Sequence, residues 1–357
     1  MTKAVTAARA HPDDRARRAA LLRWYARHRR DLPWRRVRDP YAIWVSEIML
    51  QQTRVETVVP YYRRFLDRFP DLQTLARAPE SSVLAAWSGL GYYRRARNLR
   101  EAAAVVAREY GGALPREAEA LRSLPGIGAY TAAAIASIAF DRPAAAVDGN
   151  VVRVIARWDG RRGRRDDASL RRAVTARAEA LAPGARAGDW TQALMELGAT
   201  RCLPRDPLCE RCPVARWCRA HRGGRPDRYP EGAAKSAPKR EHRVMLLVRR
   251  GPRVLLLPDA ADAGATWAPP SASVPGGEGP RSARAASALA LLHGGADPPN
   301  GPILRFRHRT YAHDWTVEVW EVRAKPRHEW ANARWATRAA LADLPVRAPT
   351  VKAFNGL

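Results

Sequence analysis

All four cysteines of this 357-residue chain lie within seventeen residues, as Cys202, Cys209, Cys212 and Cys218. Their spacing is C-x6-C-x2-C-x5-C, and no thiol occurs elsewhere in the chain. Four thiolates that converge from one short loop can bind a soft metal ion or an iron–sulfur cluster. The loop therefore predicts a cofactor site, and only a small number of protein families have such a site.

Two other uses of four cysteines deserve comparison with a cluster. Two disulfides are typical of small secreted domains, whereas this chain is long and we expect no signal peptide. A structural zinc site usually draws its thiolates from two close pairs, and only Cys209 and Cys212 form such a pair here. The longer gaps favour a [4Fe–4S] cluster, with zinc as the main alternative.

The charge of the chain is strongly positive. Lysine and arginine number 62 against 35 acidic residues, which gives a formal net charge of +27. Such a charge attracts phosphate polymers, although many arginines could simply solvate the surface. No apolar run is long enough to span a bilayer, so we expect no membrane partner.

Changes in composition and in the spacing of apolar residues divide the chain into four segments. Residues 1–14 predict a disordered start. Residues 15–220 predict helices, punctuated by proline and glycine at positions such as Pro60. Residues 221–240 are rich in glycine and proline and predict a linker. Residues 241–357 predict a smaller α+β domain. Its expected strands are Arg243–Val248, Val254–Leu257, Ile303–Phe306 and Thr316–Val322, and its expected helices are Ser282–Leu292 and Thr337–Leu344.

One carboxyl group is predicted on a buried helix. The segment 39–52 begins with Asp39 and Pro40, which favour a helix start, and its apolar residues surround the helix on all sides. Glu47 lies between Ile43 and Leu50 on this helix. Burial favours the neutral form of a carboxyl group, as a general acid near neutral pH requires, whereas a structural ion pair with arginine is the alternative.

Two further motifs follow in the chain. Leu124–Gly128 reads Leu-Pro-Gly-Ile-Gly between two helical segments, and Gly126 and Gly128 allow a tight turn that exposes amide groups to a phosphate. Asp148 begins the next helix, where a carboxylate is stabilised as an anion or serves as an ordinary cap. One neutral and one ionised carboxyl group can together cleave a glycosidic bond.

These motifs together resemble the MutY family of adenine DNA glycosylases in the helix-hairpin-helix superfamily, from about Leu21 to Cys218. The motifs that carry the resemblance are Leu32–Arg35, Ser46–Thr53, Gly89–Tyr93, Leu124–Gly128, Val147–Asn150 and the four cysteines in order. The resemblance implies a mainly α glycosylase domain over residues 15–220, with a [4Fe–4S] cluster in the loop 202–218.

The resemblance also implies the reaction. Glu47 would protonate adenine mispaired with 8-oxoguanine or with G, and Asp148, held by Asn150, would stabilise the sugar cation. Tyr130 stands where bifunctional relatives carry a Schiff-base lysine, so we expect a monofunctional enzyme that does not cut the strand.

The residues expected to contact DNA form two groups. The resemblance places Leu32, Trp34, Arg35 and Gln192 around the adenine. It places Gln51, Gln52 and Tyr92 inside the duplex near the lesion, because the target base must leave the stack before it can react.

The C-terminal part, residues 241–357, resembles the Nudix-like domain with which the family inspects 8-oxoguanine. The acidic Nudix hydrolase pattern is missing, since Gly277–Gly294 contains only Glu278 as an acid. Tyr311 and His313 match a base-reading turn, but the serine usual between them is replaced by Ala312. The Ala312 side chain cannot form a hydrogen bond, so the turn lacks one polar group that the family carries there.

The sequence thus predicts a base-excision-repair glycosylase acting on duplex DNA. We expect a monomer in the cytoplasm, associated with the nucleoid, that hands its product to an apurinic endonuclease. A glycosylase of the same fold for thymine or uracil, and a non-catalytic iron–sulfur DNA-binding protein, are the alternatives.

Overall fold

The computed structural model describes residues 12–182, 184–232, 237–259, 266–275, 279–295, 301–310, 313–325, 330 and 332–356. The chain forms two compact units. The first takes its described residues from Met1–Ala76 and Glu101–Lys235. The second combines Arg77–Arg100 with the described part of Ser236–Leu357, although the motif Gly89–Tyr93 lies in the sequence region predicted as the glycosylase domain.

The chain is helical up to the cysteine loop, as predicted. Its helices are α1 (Asp14–His28), α2 (Pro40–Leu50), α3 (Val55–Arg68), α4 (Leu72–Arg77), α5 (Glu80–Ala86), α6 (Arg94–Glu109), α7 (Ala118–Arg122), α8 (Ala129–Phe140), α9 (Gly149–Asp159), α10 (Ala168–Leu181), α11 (Ala187–Thr200) and α12 (Arg219–Arg222). Short 3-10 helices cover Pro33–Arg35, Cys209–Arg211, Ala215–Trp217 and Pro226–Arg228.

Helix α2 begins where the sequence predicts. The Asp39 carboxylate accepts hydrogen bonds from the backbone N–H groups of Tyr41 and Ala42, at 3.1 and 3.2 Å, and Pro40 occupies the first turn. Every residue from Tyr41 to Met49 is buried, as expected for a helix that is apolar on all sides. The helix therefore carries Glu47 into the interior of the first unit.

The prediction that Pro60 punctuates the helices is wrong, because it lies inside α3. A proline within a helix leaves the carbonyl four residues earlier without its usual donor. Here both Pro60 and Glu56 are exposed, so water can satisfy that carbonyl. The solvent-facing side of α3 thus tolerates a residue that would break a buried helix.

The segment predicted as a linker is partly packed against the first unit. The Tyr229 carbonyl accepts a hydrogen bond of 2.8 Å from Arg157 on α9, and the Tyr229 side chain packs on the apolar core there. The Glu231 carbonyl accepts a hydrogen bond of 3.1 Å from the backbone of Arg165. Only residues 233–236 of this segment lie outside the described chain before the first strand begins.

The second unit contains a mixed sheet, as the predicted α+β class requires. Its strands are β1 (Lys239–Arg250), β2 (Arg253–Pro258), β3 (Trp267–Ala268), β4 (Ser271–Val274), β5 (Pro302–Arg309), β6 (His313–Arg323) and β7 (Arg334–Ala336). Within the described residues the order is β3-β2-β1-β6-β5, with β4 also paired to β1 and β7 to β2. Strands β1 and β6 run parallel, in register from Lys239 opposite His313 to Arg249 opposite Arg323.

The helices of the second unit differ in part from those predicted. Helix α13 (Pro280–Leu292) packs on β1 and β4, where a helix was expected. The helix predicted at Thr337–Leu344 is instead a 3-10 helix at Ala339–Asp343, and α14 (Ala348–Asn355) was not predicted. No helix in the described chain combines the length and the apolar character needed to cross a bilayer.

Candidate active site

A pocket of about 280 Å³ lies within the first unit. Helices α2, α8, α9 and α11 contribute to its wall. Eight residues singled out from the sequence line it together: Leu32, Trp34, Arg35, Glu47, Tyr130, Asp148, Asn150 and Gln192. A pocket of this size is near the lower end of the range for small-molecule sites, roughly 300–1,000 Å³.

Glu47 is buried, with 6% of its surface exposed. Burial raises the pKa of its carboxyl group from 4.5 to about 7, and the nearby charge of Asp148 adds to the rise. The Tyr130 hydroxyl donates a hydrogen bond of 3.0 Å to Glu47 Oε2, which opposes the rise without cancelling it. Near neutral pH the carboxyl group can therefore carry a proton and release it, as a general acid must.

The surroundings of Tyr130 keep its phenol protonated. Burial and the negative charge of Glu47 raise the pKa of its phenol well above the ordinary value of 10. The same hydroxyl lies 3.7 Å from the sulfur of Met195. Tyr130 is consequently a neutral hydrogen-bond donor that orients Glu47.

Asp148 caps α9, as the sequence predicts. One carboxylate oxygen accepts a hydrogen bond of 2.7 Å from the backbone N–H of Val151, and the other accepts one of 2.8 Å from Asn150 Nδ2. Arg153, one turn further along the helix, donates to Asn150 Oδ1 at 2.9 Å and to the carbonyls of Gly198 and Cys202. Asp148 is thus fixed by its own helix, with Asn150 held in turn by a buried arginine.

A buried acid that was not predicted from the sequence binds two arginines that line the pocket. Glu196 on α11 is fully buried and accepts hydrogen bonds from Arg30, at 2.9 Å, and from Arg35, at 2.8 Å. Burial alone would raise the pKa of Glu196, but these hydrogen bonds outweigh it and lower the pKa to about 2. Glu196 lies one helical turn after Gln192, and an acid within the apolar stretch of α11 was the signal that could have identified it.

The surroundings of Arg35 therefore differ in part from those predicted. It was expected to offer its guanidinium group to a purine, and it does line the pocket. The same group is already bound to Glu196 and lies 5.6 Å from the centre of the Tyr25 ring. Trp34 is held nearby, edge-on against Tyr62 at 5.4 Å.

The residues expected to contact the DNA backbone, and the two glutamines expected to enter the duplex, lie outside this pocket. Gly126 has φ of 74° and, with Gly128, forms an exposed turn between α7 and α8. Gln51 donates a hydrogen bond of 3.1 Å to Thr131 on α8. Its neighbour Gln52 is exposed and adopts a left-handed backbone with φ of 60°, which is uncommon for residues other than glycine.

The four cysteines lie in the loop that follows α11. All are free thiols, and Arg157 donates a hydrogen bond of 3.3 Å to Cys202 Sγ. Burial, together with the charges of the other three cysteines, raises the pKa of Cys212 to about 12. The other three thiols therefore lie close enough to Cys212 to affect its ionisation, as members of one ligand set would. Within the described residues, no three or more His, Cys, Asp or Glu side chains are arranged to hold a metal ion.

The remaining predicted residues belong to the second unit. Tyr92 is 52% exposed and has φ of 51°. His313 begins β6, and its Nδ1 lies 3.7 Å from the Glu241 carboxylate. Tyr311 and Ala312, which were predicted to form the base-reading turn with His313, lie outside the described residues, as does Glu278.

Residues 45–179 match the HhH-GPD superfamily of base excision DNA repair proteins. An adenine DNA glycosylase of Mycolicibacterium smegmatis is 44% identical over 207 residues, which cover 58% of this chain and 70% of that protein. Those of Mus musculus and Homo sapiens are 40% and 49% identical, but the matches span only 61% and 39% of their lengths.

Solved structures of similar fold are also glycosylases or endonucleases. A thermostable thymine-DNA glycosylase is 34% identical with a TM-score of 0.53, and the match covers 59% of this chain and 97% of that one. An endonuclease III bound to DNA is 24% identical with a TM-score of 0.50, over 59% of this chain and 95% of that one, a likeness of fold alone.

Proposed function

This chain belongs to the adenine DNA glycosylases of the HhH-GPD superfamily of base excision DNA repair proteins, and we propose that it hydrolyses the N-glycosidic bond of adenine mispaired in duplex DNA. The observation that carries the proposal is the pairing, in one pocket, of a carboxyl group with a pKa of about 7 and a second carboxylate held by two N–H donors. This is the division of labour that cleavage of a glycosidic bond requires.

Glu47 supplies the proton. Its raised pKa keeps the carboxyl group protonated in a useful fraction of molecules near neutral pH, and the hydrogen bond from Tyr130 fixes the direction of the group. Proton transfer to a ring nitrogen of adenine makes the base a better leaving group. The adenine must first be rotated out of the duplex to reach Glu47 in this pocket.

Asp148 stabilises the sugar. As the bond to adenine breaks, positive charge develops on the deoxyribose, and a fixed carboxylate stabilises that charge without reorganising during the reaction. Asn150 keeps Asp148 in place through its 2.8 Å hydrogen bond. The sugar cation is then captured by water, and the products are free adenine and an abasic site.

The enzyme is monofunctional under this proposal. A β-lyase forms a Schiff base between an amine and the sugar, and the residue at the corresponding motif position is Tyr130. The Tyr130 side chain is a phenol, which cannot form a Schiff base. Its pKa lies well above 10, and it donates a hydrogen bond to Glu47.

The assignment to oxidised mispairs follows from the similarity to adenine DNA glycosylases, and one structural feature supports the entry of Gln52 and Tyr92 into the duplex. The adenine would lie opposite 8-oxoguanine or G, with Gln51, Gln52 and Tyr92 as the residues that enter the duplex. The left-handed backbone at Gln52 and Tyr92 supports this, because strained residues persist where the surrounding structure holds them for a function. His313 and the neighbouring turn would contact the oxidised base, and Leu32, Trp34, Arg35 and Gln192 would enclose the adenine.

The cysteine loop would hold one [4Fe–4S] cluster. Four free thiols in one loop, three of which raise the pKa of Cys212, form a suitable donor set. The cluster would brace the loop, whose interleaved arginines favour contact with the DNA backbone. Equal amounts of iron and sulfide, with visible charge-transfer absorbance, would distinguish it from zinc.

The cellular setting is also a proposal. The net charge of +27 favours association with DNA, and we place the protein as a monomer at the nucleoid of the cytoplasm. An apurinic endonuclease is the partner that would consume the abasic product.

The deciding experiment measures base release under single-turnover conditions. Duplexes with A opposite 8-oxoguanine, G, C or T, and with T or U opposite G, are incubated with the chain, and free bases and strand breaks are quantified separately. We expect adenine release from the first two duplexes, with strand cleavage only after heat and alkali. Glu47→Gln should abolish release while retaining duplex binding, and release by that variant would remove Glu47 from the mechanism.

The same panel tests the alternative targets. Release of thymine or uracil instead of adenine would assign the site to another mismatch, an outcome that the likeness to a thymine-DNA glycosylase makes worth testing. Binding without release of any base, with an apurinic endonuclease present to allow turnover, would identify a non-catalytic DNA-binding protein.

A further inference from the structure

Tyr92 lies in the second unit next to a group of residues called here the platform, which consists of Trp87, Leu90, Gly91, Tyr93 and Arg95. Tyr92 is 52% exposed, whereas Trp87, Leu90 and Tyr93 are buried. Arg95 donates to the carbonyls of Leu90 and Gly91, at 3.3 and 3.1 Å, and its guanidinium group lies 5.4 Å from the Trp87 ring and 5.7 Å from the Tyr92 ring. The strained backbone of Tyr92 is therefore held by its own neighbours.

Hydrogen bonds join the residues around Tyr92 to the backbone of Val346. The Tyr93 hydroxyl donates a hydrogen bond to the carbonyl of Val346, and it accepts one of 3.4 Å from the backbone N–H of Gly89. Ser88 Oγ lies 3.4 Å from the same carbonyl. Tyr93 and Val346 are both buried, so the attachment is shielded from water.

The attachment continues to the start of β6. Val346 pairs with Trp267 of β3, and its neighbour Arg347 lies 5.9 Å from the Trp315 ring. The Trp315 ring in turn lies 5.5 Å from the His313 ring. A continuous set of contacts thus joins the exposed Tyr92 to His313, all within one compact unit.

We propose that Tyr93 is a positioning residue that fixes Tyr92 to the sheet through Val346, and thereby contributes to discrimination between 8-oxoguanine and guanine opposite the target adenine. This inference rests on the proposed function. Tyr92 and His313 belong to different segments of the chain. They can contact the same opposing base only if the distance between these two side chains is fixed. Tyr93 maintains that separation without itself touching the DNA.

The test compares adenine release from A:8-oxoguanine and from A:G by the full chain. Tyr93→Phe removes the hydroxyl and keeps the ring. We expect the ratio of the two single-turnover rates to fall about threefold to tenfold, the fold-change equivalent of one buried hydrogen bond. Tyr41→Phe is the matched control, because Tyr41 has the same 5% exposure and donates to the Phe69 carbonyl at 2.9 Å in the first unit. It should leave the ratio unchanged.

A double-mutant cycle separates positioning from general stability. In a Tyr92→Ala background, Tyr93→Phe should have no further effect on the ratio, because the residue it positions is gone. An unchanged ratio in the single variant, or an equal effect in both backgrounds, would overturn the inference. If Tyr93→Phe does not fold, Ser88→Ala weakens the same attachment and must lower the ratio. Failure of the wild-type chain to release adenine would instead contradict the proposed function.

Discussion

Glu47 illustrates how burial gives an ordinary residue a catalytic pKa. Its helix is apolar on all sides, so the carboxyl group loses water and its neutral form is favoured. Glu196 lies behind two arginines that line the same pocket and shows the opposite outcome, because Arg30 and Arg35 bind it and lower its pKa to about 2. Two buried acids therefore have different protonation states near neutral pH, and only Glu47 can donate a proton.

The pH dependence of base release should report Glu47. Because the general acid must be protonated, the single-turnover rate should be constant well below pH 7 and fall about tenfold per pH unit above it. The measurement is the rate on a saturated A:8-oxoguanine duplex from pH 5 to 9. A rate that rises through pH 7 would contradict the assignment of Glu47 as the acid.

The same pKa predicts the pH dependence of stability. Between pH 4.5 and about 7 the folded chain binds more protons at Glu47 than the unfolded chain, so stability falls as pH rises through that window. Glu47→Gln removes the free-energy cost of ionising a buried carboxyl group. We therefore expect it to increase the unfolding free energy by about 3 kcal/mol at pH 8 and by almost nothing at pH 4. Denaturant unfolding at both pH values measures this. Glu101→Gln, on the exposed face of α6, is the control, and an equal gain at both pH values would exclude the mechanism.

Helices α9 and α11 together form the support of the site. Helix α9 carries Asp148 and Asn150 at its start and Arg153 one turn later, while α11 carries Gln192 and Glu196. The two helices meet where Gly198 faces Asn150. An added Cβ at Gly198 would lie 2.5 Å from the Cβ of Asn150 and 3.2 Å from its Cα, so only glycine allows this approach.

Gly198→Ala should therefore separate the two helices at the catalytic residues. We expect a loss of about 1–3 kcal/mol of unfolding free energy, typical of an overpacked core, and a slower release of adenine because Asn150 no longer holds Asp148. Single-turnover kinetics and denaturant unfolding measure the two effects. Gly223→Ala, whose added Cβ would meet neighbours at 3.4 Å or more, should change neither. Wild-type kinetics for Gly198→Ala would show that the position of Asn150 is not critical.

At the scale of the whole molecule, charge governs the encounter with DNA. The excess of 62 basic over 35 acidic residues is spread along the chain, and many arginines are committed to internal partners. Arg153, Arg157 and Arg177, for example, are buried and hydrogen-bonded. The net charge alone therefore overstates the number of phosphate contacts.

The salt dependence of duplex binding measures that number. If about six phosphates are neutralised, affinity should fall about 1,000-fold between 50 and 200 mM salt, whereas the rate on saturated duplex should change little. Titrations with an undamaged duplex of the same length give the sequence-independent part. Binding that is insensitive to salt would mean that the arginines merely solvate the surface.

Patterns within a helix, turn or loop could be predicted from the sequence. The burial of Glu47, the cap at Asp148 and the cysteine loop each depend on residues a few positions apart, so local spacing reveals them. The short elements of the second unit were harder to predict. The strands β3, β4 and β7 and the helix α14 are short, and their pattern is weaker than that of a long buried helix.

The family motifs, the two carboxyl groups proposed for catalysis and the set of four thiols could all be identified in the sequence alone. Only the tertiary structure revealed the hydrogen bond from Arg35 to Glu196, 161 positions away, and the attachment of Tyr93 to Val346, 253 positions away. The physical reason is that a carboxylate or a hydroxyl is encoded locally, whereas its partner depends on which distant segments pack together. The neutral acid at Glu47 was predictable because burial follows from its own helix, while the ionised acid at Glu196 depended on arginines that the fold supplies.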